Sequence, residues 1–247
     1  MTDLFHHNLA SPQLKTQASF LRMLMDSKAE KNNIVLSIPE VFGELMGIMQ
    51  GAVIDISNVL PYCAFRIARD PEVQRKLLVE LQTVWKNPDE PIPPCEVLGN
   101  LPYLKGVVKE SLRLTHGVIS GMPRVVTVEG TQIDGNLIPS GTVVVTSSSY
   151  VHMDSTIFPD PERFIPERWH AEDPQLDRSL ASFSKGRRMC PGAHISYPHL
   201  STATAAVFRK FEVSLYETTD EDMKYKTYVS IHFTGRPLRV TLKPRPS

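Results

Sequence analysis

The 247-residue chain is 41% hydrophobic and 22% charged, the composition of a folded globular protein, far from the apolar-poor range of disorder. Its 27 basic and 27 acidic residues cancel, so no overall field draws it to nucleic acid or to an anionic membrane. Three cysteines, Cys63, Cys95 and Cys190, are too few and too scattered for a disulfide framework or a CxxC metal site, and they point to a reducing compartment.

The segment from Met1 to His7 has neither a basic n-region nor an apolar h-region, so no signal peptide or anchor is expected there. Leu45 to Phe65 comes nearest to a membrane span, but Gln50, Asp55, Asn58 and Pro61 interrupt it, and an aspartate in mid-bilayer is expensive. The segment therefore reads as a buried core helix, with no membrane span in the chain. Asp70-Pro71-Glu72 then supplies an N-cap, a first-turn proline and a first-turn acid. Val73, Leu77, Leu81, Val84 and Trp85 recur on one face, predicting a helix that ends before Asn87. A proline-rich loop holding Cys95 follows. Leu104, Val107, Val108 and Leu112 mark the next helical stripe, ending near Gly117.

From Arg124 the pattern changes. Short β-branched runs at 125–128 and 142–146, with turn signals at Asp134-Gly135 and from Pro139 to Gly141, predict a small sheet. Tyr150 to Met189 has neither period and is rich in proline and aromatic residues. A loop of that length is functional or disordered, and its aromatic content argues against disorder. A last helix is expected from Ala193 to Phe211. Val229, Ile231 and Phe233 then alternate opposite Leu238, Val240 and Leu242 in a closing hairpin. The class is mainly α with a small β-sheet and a terminal hairpin.

The strongest chemical feature is the run from Phe183 to Gly192, a glycine-bracketed loop that presents Cys190 just before a helix. Helix N-terminal amides and nearby arginines stabilise a thiolate, and glycines allow tight turns that aim amides at sulfur. Such a sulfur serves as a metal ligand or a nucleophile. The loop resembles the FxxGxRxCxG signature of the cytochrome P-450 family, with all five fixed positions present. The resemblance implies that Cys190 is the axial thiolate ligand of heme iron. It further implies that Arg188 pairs a heme propionate, that Phe183 shields the thiolate, and that Gly186 and Gly192 shape the loop.

Glu110-Ser-Leu-Arg113 sets a carboxylate and a guanidinium on one helix face, an arrangement common by chance. In the family this pair is a structural lock completed by an arginine of a P-E-R-F/W motif. Two copies compete, Pro161 to Phe164 and Pro166 to Trp169; the context of the second assigns Arg168 to the lock and makes Arg163 a look-alike. Arg124, where the chain enters the sheet, is implied as a further propionate contact. The eight histidines, His152 among them, show no metal-ligand spacing and are assigned no ligand role.

The likeness runs through residues 1–247 but covers only the C-terminal half of the family's usual length. The expectation is a heme-binding region whose N-terminal half, with its anchor, is absent. Full-length relatives would sit at the endoplasmic reticulum membrane; this chain is expected to be intracellular. Its wording is most like filamentous-fungal members of secondary metabolism. The implied activity is a monooxygenase that inserts oxygen into a lipophilic small molecule. Electrons derived from NADPH would come from a reductase docking near Lys185 and Arg187. Two departures stand against this. Where the family carries an acid and an alcohol to relay protons, the chain has Ile54 and Asp55, leaving Asp55 alone to donate. Pro198 falls inside the last helix, where a lost hydrogen bond is expected to distort the seat beneath the heme. The alternatives are a non-catalytic remnant, and a heme-thiolate isomerase or dehydratase that needs no oxygen activation.

Overall fold

The computed structural model describes residues 37–170 and 173–246. The expectations for the first seven residues lie outside that range. The chain divides into two units, 1–53 and 54–247, and every element except the start of the first helix belongs to the second. That helix, α1 (Ile38–Arg69), runs unbroken through Pro61. It is long and apolar enough to cross a membrane by length and composition. As a buried core helix it meets the expectation only at its C-terminal end: Val59, Cys63 and Ile67 are buried, while Met49, Val53 and Ile54 are exposed.

Helix α2 (Pro71–Val84) begins as its sequence prescribes. The Asp70 carboxylate accepts from the amides of Glu72 at 2.9 Å and Val73 at 3.3 Å, relieving two of the unpaired donors of the first turn. Its buried face departs from the expected stripe. Val84 is exposed, whereas Gln74 is buried, because the Gln74 side-chain amide pairs with both the N–H and the C=O of Val213. A polar residue is thus drawn into the core as a strand mimic. Cys95 is not in a loop; it opens a short helix, α3 (Cys95–Gly99).

Helix α4 (Pro102–Thr115) has no local side-chain cap. Glu80 of α2 supplies one from across the interface, its two carboxylate oxygens accepting from the amides of Tyr103 at 2.7 Å and Leu104 at 2.8 Å. Nearly every residue of α4 is buried, on all sides, which marks it as the central helix. It ends at Thr115 because His116 turns left-handed at φ 62°. One contact requires a glycine: a Cβ on Gly106 would stand 2.5 Å from the carbonyl oxygen of Pro166.

The expected small β component is present as separate two-stranded antiparallel ladders, and the class is mainly α as expected. β1 (Arg124–Val125) pairs with β4 (Val143–Val144), and β2 (Thr131–Ile133) pairs with β3 (Asn136–Ile138) across the Asp134-Gly135 turn. Both turn residues have positive φ, the geometry that favours Asp-Gly in a two-residue hairpin. The aperiodic stretch is ordered around Phe158 and Trp169, both buried, and contains α5 (Ser148–His152), a 3-10 turn over 166–169 and α6 (Pro174–Ser179). Helix α7 (Ala193–Lys210) continues through Pro198 without interruption. His194, whose carbonyl loses its partner there, is exposed to water, which explains why the expected distortion does not break the helix.

The closing hairpin is a correction. β5 (Phe211–Leu215) pairs with β8 (Val240–Pro244), while β6 (Tyr225–Thr227) pairs with β7 (Ile231–Phe233). Strict alternation predicts which side chains share a face and says nothing about which strand lies alongside. Arg236 binds Asp222 through both carboxylate oxygens, at 3.0 and 3.1 Å, and carries the chain away between β7 and β8. β5, continuing directly from α7, takes β8 as its partner. The main core joins the end of α1, one face of α2, most of α4 and the inner side of α7 through Leu77, Leu81, Leu104, Val107 and Phe208.

Candidate functional site

At the centre of α4 the Glu110 carboxylate is wholly buried and accepts five hydrogen bonds. Oε1 receives Arg113 Nη2 at 2.8 Å, Arg168 Nε at 3.0 Å and the Ile165 amide at 3.0 Å. Oε2 receives Arg113 Nε and Trp169 Nε1, both at 3.0 Å. The Arg113 guanidinium is equally buried and spends its remaining donors on the carbonyls of His152, Pro161 and Arg163. Two cations and two neutral N–H groups therefore face one carboxylate, with few lone pairs left over. This is the condition under which a buried charge is tolerated. Arg168 makes the contact and is almost fully buried; Arg163 points away, its side chain 73% exposed against Asp160. Arg163 takes part only through its backbone carbonyl, which any residue would supply.

The end of α4 holds the stretch that leads to Cys190. Ser182 Oγ donates to the Leu112 carbonyl at 2.9 Å, and a Cβ on Gly117 would meet the Ser182 carbonyl oxygen at 2.5 Å, so the loop is seated directly on the end of α4. Gly186 turns the loop with a φ of 77°, and the amide of Cys190 donates to the Phe183 carbonyl at 2.8 Å, closing it. The Phe183 ring packs inward beside Tyr197, with centroids 5.4 Å apart. Burial pushes the Tyr197 hydroxyl up to about 12. Gly192, immediately before α7, is close enough that a Cβ there would touch the Cys190 sulfur at 3.5 Å, an ordinary contact. Cys190 itself is exposed. A cavity of about 500 Å³ lies behind the loop among Val108, Phe183, Met189 and Tyr197, and Cys190 does not line it. The sulfur is presented at the surface of the loop and not toward that interior space.

Arg188 and Arg124 are both exposed, and neither pairs with an acidic side chain among the described residues; Arg124 donates only to the carbonyl of Pro123. Lys185 and Arg187 are exposed on the same loop as Cys190. On the loop itself, an accessible thiol, the exposed Arg188 guanidinium and the Phe183 ring suit a group that needs a sulfur ligand for its metal and a cation for its carboxylates; nothing among the described residues joins Arg124 to them. The heme implied by the resemblance is such a group. Asp55 lies elsewhere, half-buried on α1, where its Oδ1 accepts from Ser230 Oγ at 2.7 Å. Asn58, one turn on, donates to the Ile231 carbonyl, and the Ile119 and Ser120 amides donate to Val229. Helix α1, the segment 118–120 and the β6–β7 turn thus meet at one corner with Asp55 as its acid.

Ser230 was not legible as a partner because a serine within an alternating run carries no local sign of what it will face. His116 and His152 carry no such sign either. They form a buried, stacked pair with Nδ1 atoms 3.3 Å apart, a kind of pairing that metal-ligand spacing cannot reveal.

Residues 3–242 match the family model for cytochrome P-450. Among curated proteins, the chain is 39% identical over 203 residues to cytochrome P-450 monooxygenase ppzG of Metarhizium majus (strain ARSEF 297), covering 80% of this chain and 60% of that protein. It is 35% identical to cytochrome P-450 monooxygenase flvC of Aspergillus flavus, covering 80% and 36%. It is 31% identical to fusicoccadiene C-8 hydroxylase of Alternaria brassicicola, covering 76% and 36%. A crystal structure of a cytochrome P-450 superposes with a TM-score of 0.82 at 19% identity over 98% of this chain and 54% of the other, a likeness of fold. The chain therefore spans between about a third and three fifths of the length of these relatives.

Proposed function

Because the chain belongs to the cytochrome P-450 family, we propose that it is the heme-binding part of a heme-thiolate monooxygenase that inserts oxygen into a lipophilic small molecule of fungal secondary metabolism. The observation that carries this reading is the exposed Cys190 sulfur on a loop seated on the end of α4, the helix that carries the buried Glu110–Arg113 pair. A loop held by these bonds presents its thiol at a fixed place, which is what a metal ligand needs.

A thiolate-bound heme supplies the oxygen chemistry when it is present. The chain's own residues do the rest. Arg188 and Arg124 would hold the propionates of a bound heme, and Phe183, with Gly186 and Gly192, would shape and shield the loop around the sulfur. Asp55, with its Oδ1 fixed by Ser230, is the carboxyl that would pass protons on at its other oxygen. Lys185 and Arg187 offer a cationic docking surface to a reductase carrying NADPH-derived electrons. The whole reaction belongs to the full length of such an enzyme, of which this chain spans a part.

The test is spectroscopic. The chain is titrated with heme, reduced and exposed to carbon monoxide. A thiolate-type ferrous–CO band that disappears in Cys190→Ala is expected; the same spectrum in both forms would remove Cys190 from the iron.

A further inference from the structure

His116 and His152 belong to no step described above, yet they are buried at the junction of α4, α5 and the approach to Cys190. Their rings stack with centroids 5.5 Å apart and an interplanar angle of 17°. The backbone amide of Ala181 donates to His152 Nε2 at 2.8 Å. An amide can only donate, so Nε2 must be unprotonated and the neutral His152 ring carries its hydrogen on Nδ1. That hydrogen points at His116 Nδ1, 3.3 Å away, which must then accept and leave the hydrogen of His116 on Nε2. One tautomer of each ring satisfies the chain of bonds. From Ala181 the path continues along the backbone to Phe183, whose carbonyl holds the amide of Cys190. The His152 carbonyl, at the other end, is held by Arg113.

We propose that His116 and His152 are positioning residues for Cys190, a neutral two-histidine latch that holds the segment entering the cysteine loop and opens when it is protonated. The inference rests on the reading of Cys190 as the heme ligand. Protonating His152 would turn Nε2 into a donor facing the donor of Ala181, and protonating His116 would remove the acceptor for His152. The charged or titratable groups that face the pair are Arg113 from α4, Lys185 from the cysteine loop and Tyr225 from β6. Among the described residues, none of these is a carboxylate that would welcome a second proton. Burial first, with Arg113 behind it, pushes His116 down to about 4; burial, with His116 and Arg113, pushes His152 down to about 3. The unfolded chain binds these protons near pH 6.5, so the stability gained by keeping both rings neutral is full above that value. It is lost progressively as pH falls from 6.5 toward 4.

The experiment pairs the wild type with the non-titrating double variant His116→Asn, His152→Gln. Asparagine tolerates the left-handed backbone of residue 116, and the glutamine oxygen can stand where Nε2 stands. Nitrogen-15 NMR of the wild-type chain at pH 7 is expected to show His152 protonated on Nδ1 and His116 on Nε2. His152 protonated on Nε2, or either ring cationic, would overturn the latch. Amide exchange of residues 180–184, referenced to α4, is expected to accelerate about tenfold or more in the wild type between pH 6.5 and 4.5 and to stay level in the double variant. Equal acid sensitivity in the two forms would overturn it. In heme-loaded chain, the loss of the thiolate band with acid is expected about one pH unit lower in the double variant. If no form shows a thiolate band while the exchange result holds, the latch stands and the Cys190 assignment fails.

Discussion

Removing the carboxylate of Glu110 should be the most damaging single change in the chain. Glu110→Ala strips five hydrogen bonds at once and leaves the Arg113 guanidinium, wholly buried, and the Arg168 guanidinium, 8% exposed, facing each other without an anion. Breaking a buried pair by removing one partner costs roughly 3–5 kcal/mol. Arg168→Ala should cost less, about 2–3 kcal/mol, because Glu110 keeps Arg113, Trp169 and the Ile165 amide and loses one charged hydrogen bond. Arg163→Ala should fall within about 0.5 kcal/mol, since the side chain is exposed and the carbonyl that Arg113 uses survives. Urea unfolding followed by tryptophan fluorescence measures all three, with Trp169 reporting from beside the carboxylate itself. An Arg163→Ala loss as large as that of Arg168→Ala, or a Glu110→Ala loss under about 1 kcal/mol, would refute the reasoning.

Three further outcomes can be checked. Gly106→Ala should destabilise by about 1–3 kcal/mol, because its new methyl group meets backbone at Pro166 and cannot be accommodated by a rotamer change; a neutral result in thermal unfolding would show that α4 and the 166–169 turn can part. Glu80→Gln should weaken the start of α4 by about 1 kcal/mol, read as faster amide exchange at Tyr103 and Leu104, and unchanged exchange there would deny that Glu80 caps the helix. In an enzyme of full length supplied with a reductase, Asp55→Asn and Ser230→Val should both shift NADPH consumption from product toward peroxide, whereas Ser230→Thr, which keeps the hydroxyl, should not; equal coupling in all forms would take the pair out of proton delivery.

Local chemistry sufficed for much of this protein. Asp70-Pro71-Glu72 starts α2 because a carboxylate, a fixed φ and an acid all act within one turn, and Asp134-Gly135 makes its hairpin because both residues accept positive φ. The cysteine loop was legible for the same reason, its glycines, arginines and thiol being contiguous in the chain, and so was the stripe of α4. What lay beyond the sequence is whatever depends on a partner far along the chain. Glu80 caps a helix that begins more than twenty residues later, Gln74 completes a strand it does not adjoin, and Asp55 meets a serine 175 residues away. The pairing of the last strands lay outside the sequence because alternation specifies a face while partnership depends on Asp222 and Arg236 steering the chain. The histidine latch was invisible because its two members, 36 residues apart, become a pair only when α4 and α5 bring their rings together in a space that excludes water. Periodicity and motif follow from forces acting within a few residues; hydrogen-bond partners across the fold follow from packing, which only the folded chain determines.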